Sequence, residues 1–265
     1  MMRRRYDVEI WRGFGEAAFE DLAHSFLLKK DDVCMPFETP DGRCWTADKI
    51  RKFDPTCMAD GNYWKQPPIL DQTDETSRAE YDLDVAPDAR YWLTLRGFDS
   101  KLRPDVHSCT LVCKDVCCPY FTIEFRKHAK EDLLIARRRL AVTGAQALYN
   151  RWLLRNSRLR IEGTSWTSGH WAHIKHYGVI LAGQYYTFWC ISPEKQAHLG
   201  NKWTGCTMQK VFDGDMSSLD EDIKEFANWI NEIHRWGMME HAHGCEEDVM
   251  VSLGIRMRRS GAAMR

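Results

Sequence analysis

The sequence predicts a mixed α/β protein with a central sheet flanked by helices, and three observations carry that reading. Segments with apolar residues at three- and four-residue spacing alternate along the chain with short β-branched and aromatic runs. The 265 residues are 44% hydrophobic and 12% aromatic, enough apolar surface to build a layered core and offset chain entropy. No internal repeat is present, so the simplest organisation is one domain over 1–265.

Residues 14–30 read as an amphipathic helix, with Phe14, Ala18, Leu22 and Phe26 four apart and Lys29 and Lys30 suited to the negative end of the helix dipole. From about 31 to 90 the chain is rich in Asp, Pro and Gly without sustained periodicity, and reads as a variable, loop-rich region. Residues 91–95 read as a strand, and 105–112 and 120–126 as two more, joined through 114–119 into a hairpin. A long helix follows over 130–155 on the spacing of Leu133, Leu134, Arg137, Ala141, Ala145, Leu148 and Trp152. A second hairpin is expected from 173–181 and 185–191, turning at Ala182-Gly183-Gln184. Ser217 or Ser218 caps a last helix striped by Leu219, Ile223, Phe226, Ile230 and Ile233, with Gly237 as its stop. Residues 256–265 form a basic tail.

Several function classes are excluded. No run approaches the roughly 20 apolar residues of a membrane span. The basic N-terminus is followed by Tyr6-Asp7-Val8-Glu9 where a signal peptide would carry its apolar stretch, so the chain reads as intracellular, cytoplasmic or nuclear. Ten Cys without a CxxC pair fit reduced thiols rather than a disulfide scaffold. Walker, dinucleotide-binding, nucleophile-elbow and zinc-protease signatures are all missing from the sequence.

The net charge is −1, but it is unevenly spread. Residues 101–160 hold thirteen Lys or Arg against five acids, whereas 71–88 hold seven acids and only Arg78. Screening limits such a field to about 8–10 Å, so the basic segment suits a local polyanion site. Arg137, Arg138 and Arg139 are its densest run, and read either as a phosphate track or as the solvated face of a helix.

Within that segment lies Pro104-Asp105 and, nineteen positions on, Glu124 in Thr122-Ile123-Glu124-Phe125-Arg126-Lys127. If the strands carrying them pair, the two carboxylates share one end of a sheet. They would then suit Mg²⁺, a hard ion that takes oxygen ligands and keeps waters for a substrate phosphate.

These residues resemble the PD-(D/E)xK phosphodiesterase superfamily, whose members share a restriction-endonuclease-like fold. The likeness extends through 147–151, His176-Tyr177-Gly178, Trp203-Thr204-Gly205-Cys206 and 229–237, and is similar to a group of fungal PD-(D/E)xK nuclease-like proteins. It covers about residues 90–250. The resemblance implies a restriction-endonuclease-like core, Asp105 and Glu124 as ligands of Mg²⁺ or Mn²⁺, and DNA or RNA as partner. Arg126 stands where the family has Lys; it keeps the charge and holds phosphate bidentately but does not give up its proton as a base. Lys127 substitutes only if the strand is bulged, because neighbours on a strand face opposite ways. Glu80, Asp82, Asp84 and Asp99 are available as the upstream acid. Three outcomes stay open: a metal-dependent nuclease, a nuclease-like binder that does not cut, and a silent interaction or regulatory protein with a protein partner.

Other constellations compete. His170, His173 and His176 with His241, His243 and Cys245 have the residue types of a zinc site. Cys109, Cys113 and Cys117 would share a strand face, and a reactive thiol among them would need His107 or His128. Trp166, Trp171, Tyr185, Tyr186 and Trp189 read as core or as a base-stacking surface.

Overall fold

The computed structural model describes residues 16–26, 28, 33–38, 42–51, 65–68, 85–126, 130–194, 202–216 and 220–254. Its elements run α1 (Glu16–Phe26), β1 (Val33–Glu38), β2 (Cys44–Arg51), β3 (Ala89–Thr94), β4 (Val112–Cys113), β5 (Val116–Arg126), α2 (Lys130–Glu162), α3 (Ser168–His173), β6 (His176–Ala182), β7 (Tyr185–Pro193), β8 (Cys206–Asp215), α4 (Asp220–Trp236) and α5 (Ala242–Ser252). The strands form one sheet in the order β1-β2-β3-β5-β6-β7-β8, with the short β4 paired to β5. Every neighbouring pair is antiparallel except β5–β6. The mixed α/β class is therefore as expected, and α2 is the crossover that a parallel pair requires.

β5 is buried along its whole length because both faces are covered. Phe121, Ile123 and Phe125 face a core shared with Ala23 of α1 and with Phe226, Ile230 and Ile233 of α4. The alternate residues Thr122, Glu124 and Arg126 face α2. On that side Ala136 and Leu140 pack on Ile180 and Trp189. α2 lies close to the sheet because β6 offers Gly178 there: a Cβ at this position would fall inside the Leu140 side chain.

Four differences from the expected elements have physical reasons. Residues 105–112 are not a strand: Arg103–Ser108 is a 3-10 helix with Pro104 in its first turn, where a missing N–H costs nothing. The partner of β5 is instead β3, and the tight turn at Lys114-Asp115, with φ of 47° and 66°, joins only β4 to β5. The loop-rich reading of 31–90 missed β1 and β2, because β2 buries only Trp45 and Ala47 along its length and shows a weak alternation. β8 was missed for the same reason, being an outer strand with Thr207, Gln209, Lys210 and Val211 exposed.

Gly237 does not stop the last helix. A π-helical turn over Gly237–His241 carries α4 into α5, and Gly237 is required because a Cβ would meet the Tyr120 ring. The extra residue of the turn rephases the helix so that Met238 and His241 stay buried. The expected start of the first helix at Phe14, the caps Ser217 and Ser218, and the tail 256–265 lie outside the described residues.

Candidate carboxylate-arginine site

The last residues of β5 meet the chain entering β3. Ala89 pairs with Ile123 and Arg90 with Thr122, so Asp88 arrives beside Glu124. The Asp88 carboxylate accepts the Phe125 backbone N–H at 2.8 Å, which fixes it at the strand end. Two arginines join the pair. Arg126, two residues beyond Glu124 and on the same face, lies 3.4 Å from Asp88 and 3.6 Å from Glu124. Arg139, from the third turn of α2, lies 3.0 Å from Glu124 and 3.6 Å from Asp88, and donates to the Ala86 carbonyl at 2.7 Å. Each guanidinium therefore touches both carboxylates.

Glu124 has no solvent exposure, and its Oε1 has no hydrogen-bond partner. Burial, followed by the charge of Asp88, pushes its pKa up to about 7 against the opposing pull of Arg139 and Arg126. Below the pair, the fully buried Arg90 donates to Thr122 Oγ1 at 3.1 Å and to the Thr143 carbonyl at 2.9 Å. Its pKa is lowered to about 9 by burial, with Glu124 opposing that shift. Thr122 Oγ1 also bonds His176 Nε2 at 2.7 Å, extending the polar seam onto β6.

The pairing of Asp105 with Glu124 is corrected. Thr94 pairs with Val116, so the connection bearing Asp105 leaves the opposite end of β5, about 26 Å away at 3.3 Å per residue. Asp105 is exposed and lies within the 3-10 helix, and Asp99 belongs to the same connection. The acid that meets Glu124 is Asp88, preceded by Pro87: another of the chain's three Pro-Asp pairs, placed directly before β3.

Glu124 and Arg126 are where the sequence placed them, at the end of a strand, whereas Lys127, Glu80, Asp82 and Asp84 lie outside the described residues. The three successive arginines do not form a track. Consecutive residues on a helix diverge by about 100°, so Arg137 stacks over the Trp189 ring at 5.0 Å, Arg138 is exposed, and Arg139 joins the carboxylates.

The remaining constellations disperse. His170 completes the capping box of α3 with Thr167, His173 is exposed, and His176 is buried beneath α2. His241 Nε2 bonds the Cys118 carbonyl at 3.1 Å and lies 3.5 Å from Cys245 Sγ, while His243 is exposed. Among the described residues no group of three or more His, Cys, Asp and Glu is arranged to hold a metal ion. Cys109 lies in the turn after the 3-10 helix, Cys113 on β4 and Cys117 on β5, and burial raises the thiols of Cys109 and Cys113. Trp166 and Trp171 stack at 4.3 Å beside the core packed on Trp152, and Tyr186 and Trp189 are buried.

Asp88 and Glu124 nevertheless suit Mg²⁺ in donor type, because this ion is bound through one or two carboxylates and completes its shell with water. The buried, unpartnered Oε1 of Glu124 is the atom in need of a cation or a proton. No family model, curated protein or solved structure matches the chain. Among the described residues no helix is long and apolar enough to cross a membrane.

Proposed function

We propose that this chain is a nuclease-like protein with a restriction-endonuclease-like core, acting on a nucleic-acid phosphodiester at a centre formed by Asp88, Glu124 and Arg126. The supporting observation is the convergence of two carboxylates at the ends of adjacent antiparallel strands, one with a buried, unpartnered oxygen, with a cation two residues beyond the Glu. Asp88 and Glu124 would hold Mg²⁺ or Mn²⁺, which when bound supplies a Lewis acid for the phosphate and lowers the pKa of water. Arg126 binds and orients a phosphate oxygen, and does not serve as base. Arg90 places a fixed positive charge beneath the site, and the wall of Ile180, Leu140 and Ala136 keeps water from the inner side. An intracellular setting, cytoplasmic or nuclear, accords with the described cysteines being free thiols.

A second reading is supported by one specific feature. Both carboxylates are already in ion pairs with Arg126 and Arg139, as in a protein that retains the fold but binds nucleic acid, or a protein partner, without cutting.

Cleavage of labelled single- and double-stranded DNA and RNA with Mg²⁺ or Mn²⁺ separates the two. Metal-dependent cutting by the wild type should fall by about 100-fold or more in Asp88→Asn and Glu124→Gln, survive in Arg126→Lys, and be unchanged in Asp105→Asn. No cutting by either the wild type or Arg126→Lys overturns catalysis and leaves the second reading.

A further inference from the structure

The two guanidiniums at the site are not equivalent. Arg126 belongs to the strand that carries Glu124, donates to the Phe125 carbonyl, and is nine-tenths buried. Arg139 comes from another element, α2, and keeps about a third of its side chain (32%) in solvent, more than any other member of the cluster. It is therefore the group through which the cluster meets its surroundings. Its Nε sits on Oε2 of Glu124, while Oε1 of the same carboxylate is buried and without a partner. A carboxylate with one oxygen satisfied by a partly solvated cation from another element and the other unsatisfied is incomplete as a structural ion pair.

Arginine is suited to exchange here. Its planar fork matches a carboxylate and a phosphate equally well, and both pairings are charge-assisted. Moving Arg139 to a phosphate exchanges its pairs with the two carboxylates for a charge-assisted pair of the same kind and gives up its bond to the Ala86 carbonyl. Moving it into water leaves Asp88 and Glu124 with less compensation in a buried setting, which is costly.

Resting on the phosphodiester reading above, we propose that Arg139 is a resident cation that keeps the carboxylate pair closed, and that a nucleic-acid phosphate opens it by drawing the guanidinium away. The freed oxygens of Asp88 and Glu124 then accept a divalent cation. Cation and nucleic acid bind synergistically as a result, and by linkage each strengthens the other by the same factor, about 5–150-fold for couplings of the usual size.

Mn²⁺ binding to the full chain, followed by the loss of the free-ion electron paramagnetic resonance signal, tests this without any turnover. The probe is a single-stranded phosphorothioate oligonucleotide, which is charged and resists cleavage, with an uncharged methylphosphonate oligonucleotide of the same sequence as control. The wild type should bind Mn²⁺ about 5–150-fold more tightly with the charged strand only. Arg139→Gln should bind Mn²⁺ without any strand as tightly as the wild type does with it, Arg139→Lys should remain closed, and the Glu124→Gln/Arg139→Gln pair should lose the site. Equal, Glu124-dependent affinity with and without the charged strand overturns the latch while leaving the phosphodiester reading intact. No Glu124-dependent binding under any condition overturns both. Should Arg139→Gln fail to fold by circular dichroism, the charged-versus-uncharged comparison in the wild type decides alone.

Discussion

α2 presents arginines to buried carboxylates at two places, and the two clusters are built differently. Near its N-terminal end Arg139 meets Asp88 and Glu124; farther along, Arg151, Arg155 and Arg158 converge on Asp248 of α5. Asp248 has no exposed surface, and both of its oxygens are bonded: Arg151 and Arg155 take one side, and Arg158 Nη1 lies 3.3 Å from Oδ1. Arg158 is tied in turn to Glu247 at 2.8 Å and to Glu162 at 3.0 Å. That arrangement is a clamp between two helices. At the other end a second carboxylate crowds the first, one oxygen has no partner, and the outermost cation is partly solvated. Both clusters hold a buried unpartnered atom, Arg151 Nε in the clamp and Glu124 Oε1 here, but only the second leaves a carboxylate oxygen open beside a partly exposed guanidinium.

The sharpest way to break this comparison is to neutralise each carboxylate. Asp248→Asn leaves Arg151 and Arg155 as uncompensated buried cations and should cost about 3–5 kcal/mol in urea denaturation. Glu124→Gln removes a carboxylate that burial already disfavours, and should cost within about 1 kcal/mol at pH 7. Equal losses in the two variants would erase the distinction between clamp and site. Next in size is Gly178→Ala, whose methyl collides with Leu140, the residue after Arg139; overpacking of this kind should cost about 1–3 kcal/mol. It should also alter Mn²⁺ binding, whereas a substitution at Gly244, beside Arg151 and Arg155, should not.

The smallest effect is on pH dependence. His176 is fully buried, and burial, Arg90 and His241 hold its pKa well below 6.5. The unfolded chain therefore takes up a proton that the folded one refuses as pH falls below 6.5. The stability from neutral His176 is fully present above that value and is lost toward its folded pKa, with a slope approaching about 1.4 kcal/mol per pH unit. His176→Gln should flatten the slope between pH 7 and pH 5 relative to wild type, and identical slopes would refute the assignment.

Much of the frame was legible in the chain. The helical spacing of 130–155 predicted α2, and Ala182-Gly183-Gln184 marked the β6–β7 turn, where Gly183 adopts a φ of 58°. The run ending in Glu124-Phe125-Arg126 was recognisably a strand because both its faces are covered. Strands away from the centre of the sheet were not legible: β2 and β8 bury too little of themselves to impose a strong alternation. The π-helical turn was invisible because Gly237 looked like a helix stop, and only its contact with Tyr120 explains it.

At the site, the sequence by itself determined Glu124 and the cation two residues beyond it, since alternation on one strand puts both on one face. It held three Pro-Asp pairs, at 40–41, 87–88 and 104–105, and no local reason to prefer any of them; proline serves equally at a strand entrance and in the first turn of a 3-10 helix. Tertiary structure made the choice, because the pairing of β3 with β5 brings Asp88 to Glu124 and leaves Asp105 at the far end of the sheet. It likewise separated three adjacent arginines, sending Arg139 alone to the carboxylates, because a helix turns by about 100° per residue and only one of the three faces that part of the sheet.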